Sequence, residues 1–103
     1  MIKHIVIWKL KEEVEGKSKA ENALHMKKIL EDLIGKIPEI VHLEVGLKSA
    51  QSPASNDDII LNSSFKTWAD LDIYVNHPEH IKVGGFVKLV TEQRSAVDYF
   101  VEC

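Results

Sequence analysis

Residues 2–10, Ile-Lys-His-Ile-Val-Ile-Trp-Lys-Leu, constrain the fold of this chain more than any other stretch. Val, Ile and Trp favour extended backbone, and the run opens without a helix cap. As a strand it puts Ile2, His4, Val6, Trp8 and Leu10 on one face, and Lys3, Ile5, Ile7 and Lys9 on the other. Both faces are apolar in the middle, so both are expected to be covered. With 103 residues the chain has room for a single domain over residues 1–103. Folding at this size buries about two thirds of the unfolded surface. Apolar surface left over after one core would therefore point to a partner.

The following segments read in sequence. Ser18 offers an N-cap with Glu21 three residues on, which predicts a helix over residues 18–36. Ala23, Met26, Leu30, Leu33 and Ile37 step by three or four and build its apolar stripe, and Pro38 ends the segment. Val41, Leu43, Val45 and Leu47 alternate with His42, Glu44 and Gly46, predicting a strand over 40–48. Residues 49–58 (SAQSPASNDD) are a loop by composition, and residues 59–65 give a third strand. Thr67, with Asp70, caps a second helix whose inner side carries Leu71, Tyr74 and Val75. Pro78 suits the first turn of a further helix. Gly84-Gly85 is expected to interrupt that helix, with residues 86–94 resuming it and 96–102 forming the last strand. The charged stretch from Lys9 to Lys19 reads as a solvated loop.

The order β-α-β-β-α-β is the ferredoxin-like α+β pattern, a four-stranded antiparallel sheet with helices on one face. The other face is expected to present Ile5, Ile7, Val41, Leu43, Val45, Val97, Tyr99 and Val101. So large an apolar face is unusual for a monomer, which predicts a homodimer with two sheets packed face to face.

Composition excludes several functions. Thirteen Lys+Arg against 16 Asp+Glu give a net charge of −3, a poor electrostatic match for nucleic acid. A 45% hydrophobic and 28% charged composition is that of a globular protein. No apolar run approaches the ~18 residues that cross a bilayer, so no membrane partner is expected. The start of the chain lacks the pattern of a secretory signal. A lone Cys103 cannot form an internal disulfide, which fits a reducing, cytoplasmic setting, and it is given no nucleophilic role. His77 and His80 stand at i, i+3 without a third ligand, and no metal is expected.

Taken together and in order, IKHIVIWKLKEE, YVNHPEH and AVDYFVE resemble the stress-responsive dimeric α/β-barrel (Dabb) family across essentially the whole chain. The resemblance implies a dimeric ferredoxin-like fold. One plant branch of that family comprises polyketide cyclases, which close a linear poly-β-keto chain without metal or organic cofactor. By that resemblance, the Tyr and second His of the Y-x-x-H-P-x-H segment correspond to Tyr74 and His80. Asp98 on the last strand would support the His, and His4 would line the pocket. Where that branch has another pocket His on the third strand, this chain has Ile59.

The chemistry is coherent. Removing a proton between two carbonyls needs a base near neutral pH, and histidine, with an ordinary pKa of about 6.5, suits the task. A carboxylate on the other ring nitrogen fixes the tautomer, and a phenol can hydrogen-bond the developing enolate oxygen. His80, Asp98 and Tyr74 are thus candidates for base, orienter and oxyanion donor. Equally, Tyr74 reads as an amphipathic core residue, and His80–Asp98 as a pair tying helix to strand. His4, Trp8, Met26, Leu30, Ile59 and Leu61 are candidate ligand-binding residues, and each also reads as core. The resulting expectation is a protein that binds a small, largely apolar metabolite between sheet and helices. The alternatives are a cofactor-free cyclase or isomerase, and a non-catalytic, stress-associated structural dimer.

Overall fold

A computed structural model describes residues 1–102. Cys103, and the reading made of it, lies outside the described residues. Strand β1 (Ile2–Leu10) leads through a short hairpin, β2 (Glu13–Val14) and β3 (Lys17–Ser18), into helix α1 (Lys19–Glu31) and a 3₁₀ turn (Asp32–Gly35). There follow β4 (His42–Leu47), β5 (Ile59–Phe65), α2 (Trp68–Asn76), α3 (Pro78–Val90) and β6 (Thr91–Phe100). The main sheet runs β4-β5-β1-β6 and is antiparallel throughout. This is the ferredoxin-like α+β fold read from the sequence, with a hairpin added.

Local chemistry sets the element boundaries. At α1 the Ser18 hydroxyl accepts from the Glu21 N–H while the Glu21 carboxylate accepts from the Ser18 N–H, the reciprocal capping box. Thr67 caps α2 through the Asp70 N–H. The His77 Nδ1 accepts from the Glu79 N–H at the head of α3, where Pro78 occupies the first turn.

Alternation on β1 sends Ile2, His4, Val6, Trp8 and Leu10 into the interior. There they meet Ala23, Met26 and Leu30 of α1, Leu33 and Ile37 beyond it, Leu71 and Tyr74 of α2, and Val90 of α3. The opposite sheet face carries Ile5 and Ile7, with Ile60, Val97 and Tyr99 exposed.

Four expectations need correction. Leu43 and Val45 lie on the helix-covered face, because their cross-strand partners Ser63 and Leu61 also face inward, opposite His4 and Val6. Val41 precedes β4 and Val101 follows β6, so neither belongs to the open face of the sheet. Gly84-Gly85 does not interrupt α3. Val83, Phe86, Val87 and Val90 pack on the core around the pair, and that packing outweighs glycine's poor helix propensity. The helix stops at Val90, and residues 91–94 pair with β1 rather than coiling. Finally, the charged stretch folds back on itself as a hairpin. Glu15 (φ 51°) and Gly16 (φ 78°) turn in the left-handed region that two-residue hairpins require.

Candidate functional site

A cavity of about 210 Å³ lies between the sheet and the α2–α3 layer. Its apolar wall includes Val6, Leu30, Leu61 and Val83. Its polar lining comes from His4 and Trp8 on β1, Tyr74 on α2, His80 and Lys88 on α3, and Arg94 on β6. Strand alternation places His4 and Trp8, and the register sets Arg94 directly across from Trp8, on the same face of the sheet. Pro78 starts α3 so that His80 falls in its first turn, with its ring centroid 4.5 Å from that of Tyr74.

The hydrogen bonds of the two histidines fix their tautomers. The His80 Nδ1 is 3.0 Å from the Val75 carbonyl. A carbonyl only accepts, so Nδ1 carries the hydrogen and Nε2 holds a lone pair. Burial lowers the pKa of His80, and the charges of His4, Arg94 and His77 lower it further against the Val75 bond, which raises it. His80 is therefore neutral near pH 7. The His4 Nδ1 is 2.5 Å from the Asp98 Oδ1, a short bond between residues directly paired on β1 and β6. Asp98 thus orients His4 and not His80, correcting the sequence reading. Directly paired residues share a face of the sheet, so the carboxylate reaches the neighbouring strand before it can reach a helix.

Two hydrogen-bond donors on the lining are left over. Trp8 Nε1 and Tyr74 Oη are buried and have no partner among the described residues. Burial pushes the Tyr74 phenol well above its ordinary pKa, so it keeps its hydrogen. An unpaired buried polar group costs about 1–3 kcal/mol. Two of them on the lining of one cavity ask for a hydrogen-bond acceptor from outside the chain.

Of the sequence candidates, His4, Trp8, Leu30, Leu61, Tyr74 and His80 line this cavity. Met26 is wholly buried in the core, and Ile59 is buried beside Trp8 in the β1–β5 register; neither lines it. Arg94 and Lys88 were missed, Arg94 because residues 86–94 read as helix rather than strand. Surface grooves of about 530 and 560 Å³ lie by the β4–β5 loop and between α1 and α3. Neither is lined by a residue with an unpartnered buried polar atom. Among the described residues no group of three or more His, Cys, Asp or Glu is placed to hold a metal ion. No helix is long and apolar enough to cross a membrane.

Comparison with known proteins agrees with this architecture. The chain is 25% identical over 104 residues to the stress-response A/B barrel domain-containing protein DABB1 of Arabidopsis thaliana. That match takes in 99% of this chain and 48% of the relative, so the chain spans about half the length of the curated protein. A dimeric ferredoxin-like protein of unknown function from Bacteroides fragilis is 36% identical, with a TM-score of 0.84 over 95% of this chain and 93% of that one. The hydroxynitrile lyase of Passiflora edulis shares the fold at 16% identity, with a TM-score of 0.80 over 98% of this chain and 93% of the lyase. The family model of the stress responsive A/B barrel domain matches residues 2–101, and the chain belongs to that family.

Proposed function

We propose that this member of the stress responsive A/B barrel family binds a small, largely apolar molecule bearing a hydrogen-bond acceptor, in the cavity beneath α2 and α3. The observation that carries the reading is the pair of unpartnered donors, Trp8 Nε1–H and Tyr74 Oη–H, on the lining of one cavity. An apolar cavity of about 150 Å³ holds benzene, so about 210 Å³ suits a one-ring molecule with a short substituent. Calorimetric titration with acetophenone and with ethylbenzene tests this, since the two differ mainly in the carbonyl. Acetophenone is expected to bind about tenfold more tightly, equivalent to ~1.4 kcal/mol. Equal affinities would remove the role of the donors. Binding of neither would favour a structural dimer.

A second reading, a cofactor-free cyclase, isomerase or lyase, is favoured by His80. Its Nε2 lone pair, neutral at pH 7 and beside Tyr74, suits a general base. In the reaction Nε2 takes a proton from carbon next to a carbonyl. The C–H electron pair moves into the carbon–carbon bond, and the carbonyl pair moves onto oxygen as an enolate. Tyr74 and Trp8 donate to that oxygen. The plant cyclase branch is one form of this chemistry, and the Passiflora lyase supports it by fold alone. Wild type is expected to speed hydrogen–deuterium exchange at the methyl group of acetophenone, and His80→Gln to abolish the effect. Exchange at the uncatalysed rate in both would leave binding without chemistry.

The open face of the sheet supports a homodimer. Ile5, Ile7, Ile60, Val97 and Tyr99 form an apolar surface there, and the Bacteroides relative is described as dimeric. Sedimentation at micromolar concentration is expected to give a dimer, and Val97→Glu to give monomers. A wild-type monomer would contradict this assembly.

A further inference from the structure

The polar lining of the cavity is one-sided in charge. Trp8 and Tyr74 present donors without partners, and Arg94 and Lys88 present cations. Both histidines already use Nδ1 as a donor, to Asp98 and to the Val75 carbonyl. No Asp or Glu is among the lining residues; Asp98, on the same sheet face, is engaged by the His4 Nδ1–H.

Arg94 stands out within this set. It sits across from Trp8 in the β1–β6 register, so guanidinium and indole rise from the same face of the sheet. Its charge contributes to holding His80 neutral, which places it within electrostatic reach of the same ring. Among the described residues it makes no ion pair, whereas the buried Asp58 is paired with Lys19 and Lys48. A neutral carbonyl ligand would satisfy Trp8 and Tyr74. It would leave the guanidinium at the edge of an apolar cavity without a countercharge. A carboxylate satisfies all three, because its two oxygens match the guanidinium fork and still accept from neutral donors.

We infer that the cavity is shaped for a small aromatic or alicyclic carboxylate, its ring against Val6, Leu30 and Leu61 and its carboxylate at Arg94. The inference rests on the binding reading above and adds the charge of the ligand and the residue that selects it. Gly84 assists by leaving the lining open, since a Cβ built there meets nothing within 4 Å.

The test is calorimetric titration of wild type, Arg94→Gln and Arg94→Lys with benzoate, benzamide and acetophenone. Wild type is expected to bind benzoate about tenfold more tightly than the isosteric, neutral benzamide. Arg94→Gln brings the two within about twofold, and Arg94→Lys restores part of the preference. Each variant is checked first by thermal melting, since Arg94 is an exposed strand residue whose replacement should leave the fold intact. Equal binding of benzoate and benzamide by wild type overturns the carboxylate inference while leaving the pocket in place. Failure of all three probes to bind overturns the pocket reading and this inference with it.

Discussion

Two polar centres border β1, and the chain treats them differently. At the Leu10 end the buried Asp58 accepts from the Leu10 N–H at 2.8 Å and lies 3.3 Å from Lys19 and 3.7 Å from Lys48. Its own N–H donates to the Trp8 carbonyl, and its carbonyl accepts from the Lys48 N–H. Burial would raise its pKa, but the Leu10 bond and the Lys19 and Lys48 charges outweigh that and hold the carboxyl below its ordinary value. Beneath α2 and α3, Trp8 and Tyr74 keep buried donors unpaired beside a cavity. A centre whose groups are all paired serves stability. A centre that leaves donors empty gives up stability in a form that a ligand can return.

The sharpest way to break that comparison is Asp58→Ala. It should cost about 1–3 kcal/mol by orphaning the Leu10 N–H and removing one partner each from Lys19 and Lys48, which keep Glu12 and the Asn56 carbonyl. Calorimetry should show Tm falling roughly 4–8 °C for each kcal/mol. Acetophenone binding by the folded protein should be unaffected. Loss of binding would mean that the two centres act as one.

Tyr74→Phe is the mirror experiment. The hydroxyl has no partner to lose, so unfolding in denaturant should give unchanged or slightly greater stability. Affinity for acetophenone should fall about tenfold, or ~1.4 kcal/mol. A clearly destabilised variant would show that the hydroxyl is bonded within the fold.

Gly84→Ala sharpens the contrast further. The Cβ meets open space and alanine favours helix, so the urea midpoint should rise by the equivalent of about 0.5–1 kcal/mol. Gly84→Leu should keep that gain and weaken acetophenone binding by filling the lining. A destabilised Gly84→Ala would show that the glycine serves the fold rather than the opening.

The smallest effect is the separation of the two centres by pH. The folded pKa of Asp58 is depressed, so its contribution is present above the ordinary value of 3.8 and is lost as pH falls through the folded value. His80 is also depressed, from 6.5. The unfolded chain therefore takes up that proton first, and stability should decline as pH falls from about 6.5 toward the folded value, then level off. Melting curves of His80→Gln should lack this upper step and keep the lower one. An unchanged upper step would assign it to another group.

What the sequence made legible was local. The alternation of β1, the Ser18–Glu21 capping box, the Thr67 cap and Pro78 at the head of α3 each depend on residues close together, and each is found as read. The features it hid depend on register between distant strands. Alternation shows that Leu43 and Val45 share a face, but only pairing with Ser63 and Leu61 says which one. His4 meets Asp98 across 94 positions, a contact no local pattern encodes. Arg94 was hidden because residues 86–94 carry no local break at Val90, and only pairing with β1 makes Thr91 the start of β6. Asp58, inside a loop defined by composition, carried no signal of burial.

The most direct test of a ligand-binding cavity is the ¹H–¹⁵N signal of the Trp8 indole during titration with benzoate and with acetophenone. The chain has two tryptophans, and Trp68, at 55% exposed, serves as the internal reference. Occupation of the cavity predicts that the Trp8 Nε1–H signal moves and saturates with at least one probe while Trp68 stays in place. A Trp8 signal that remains stationary with both probes at millimolar concentration would contradict it.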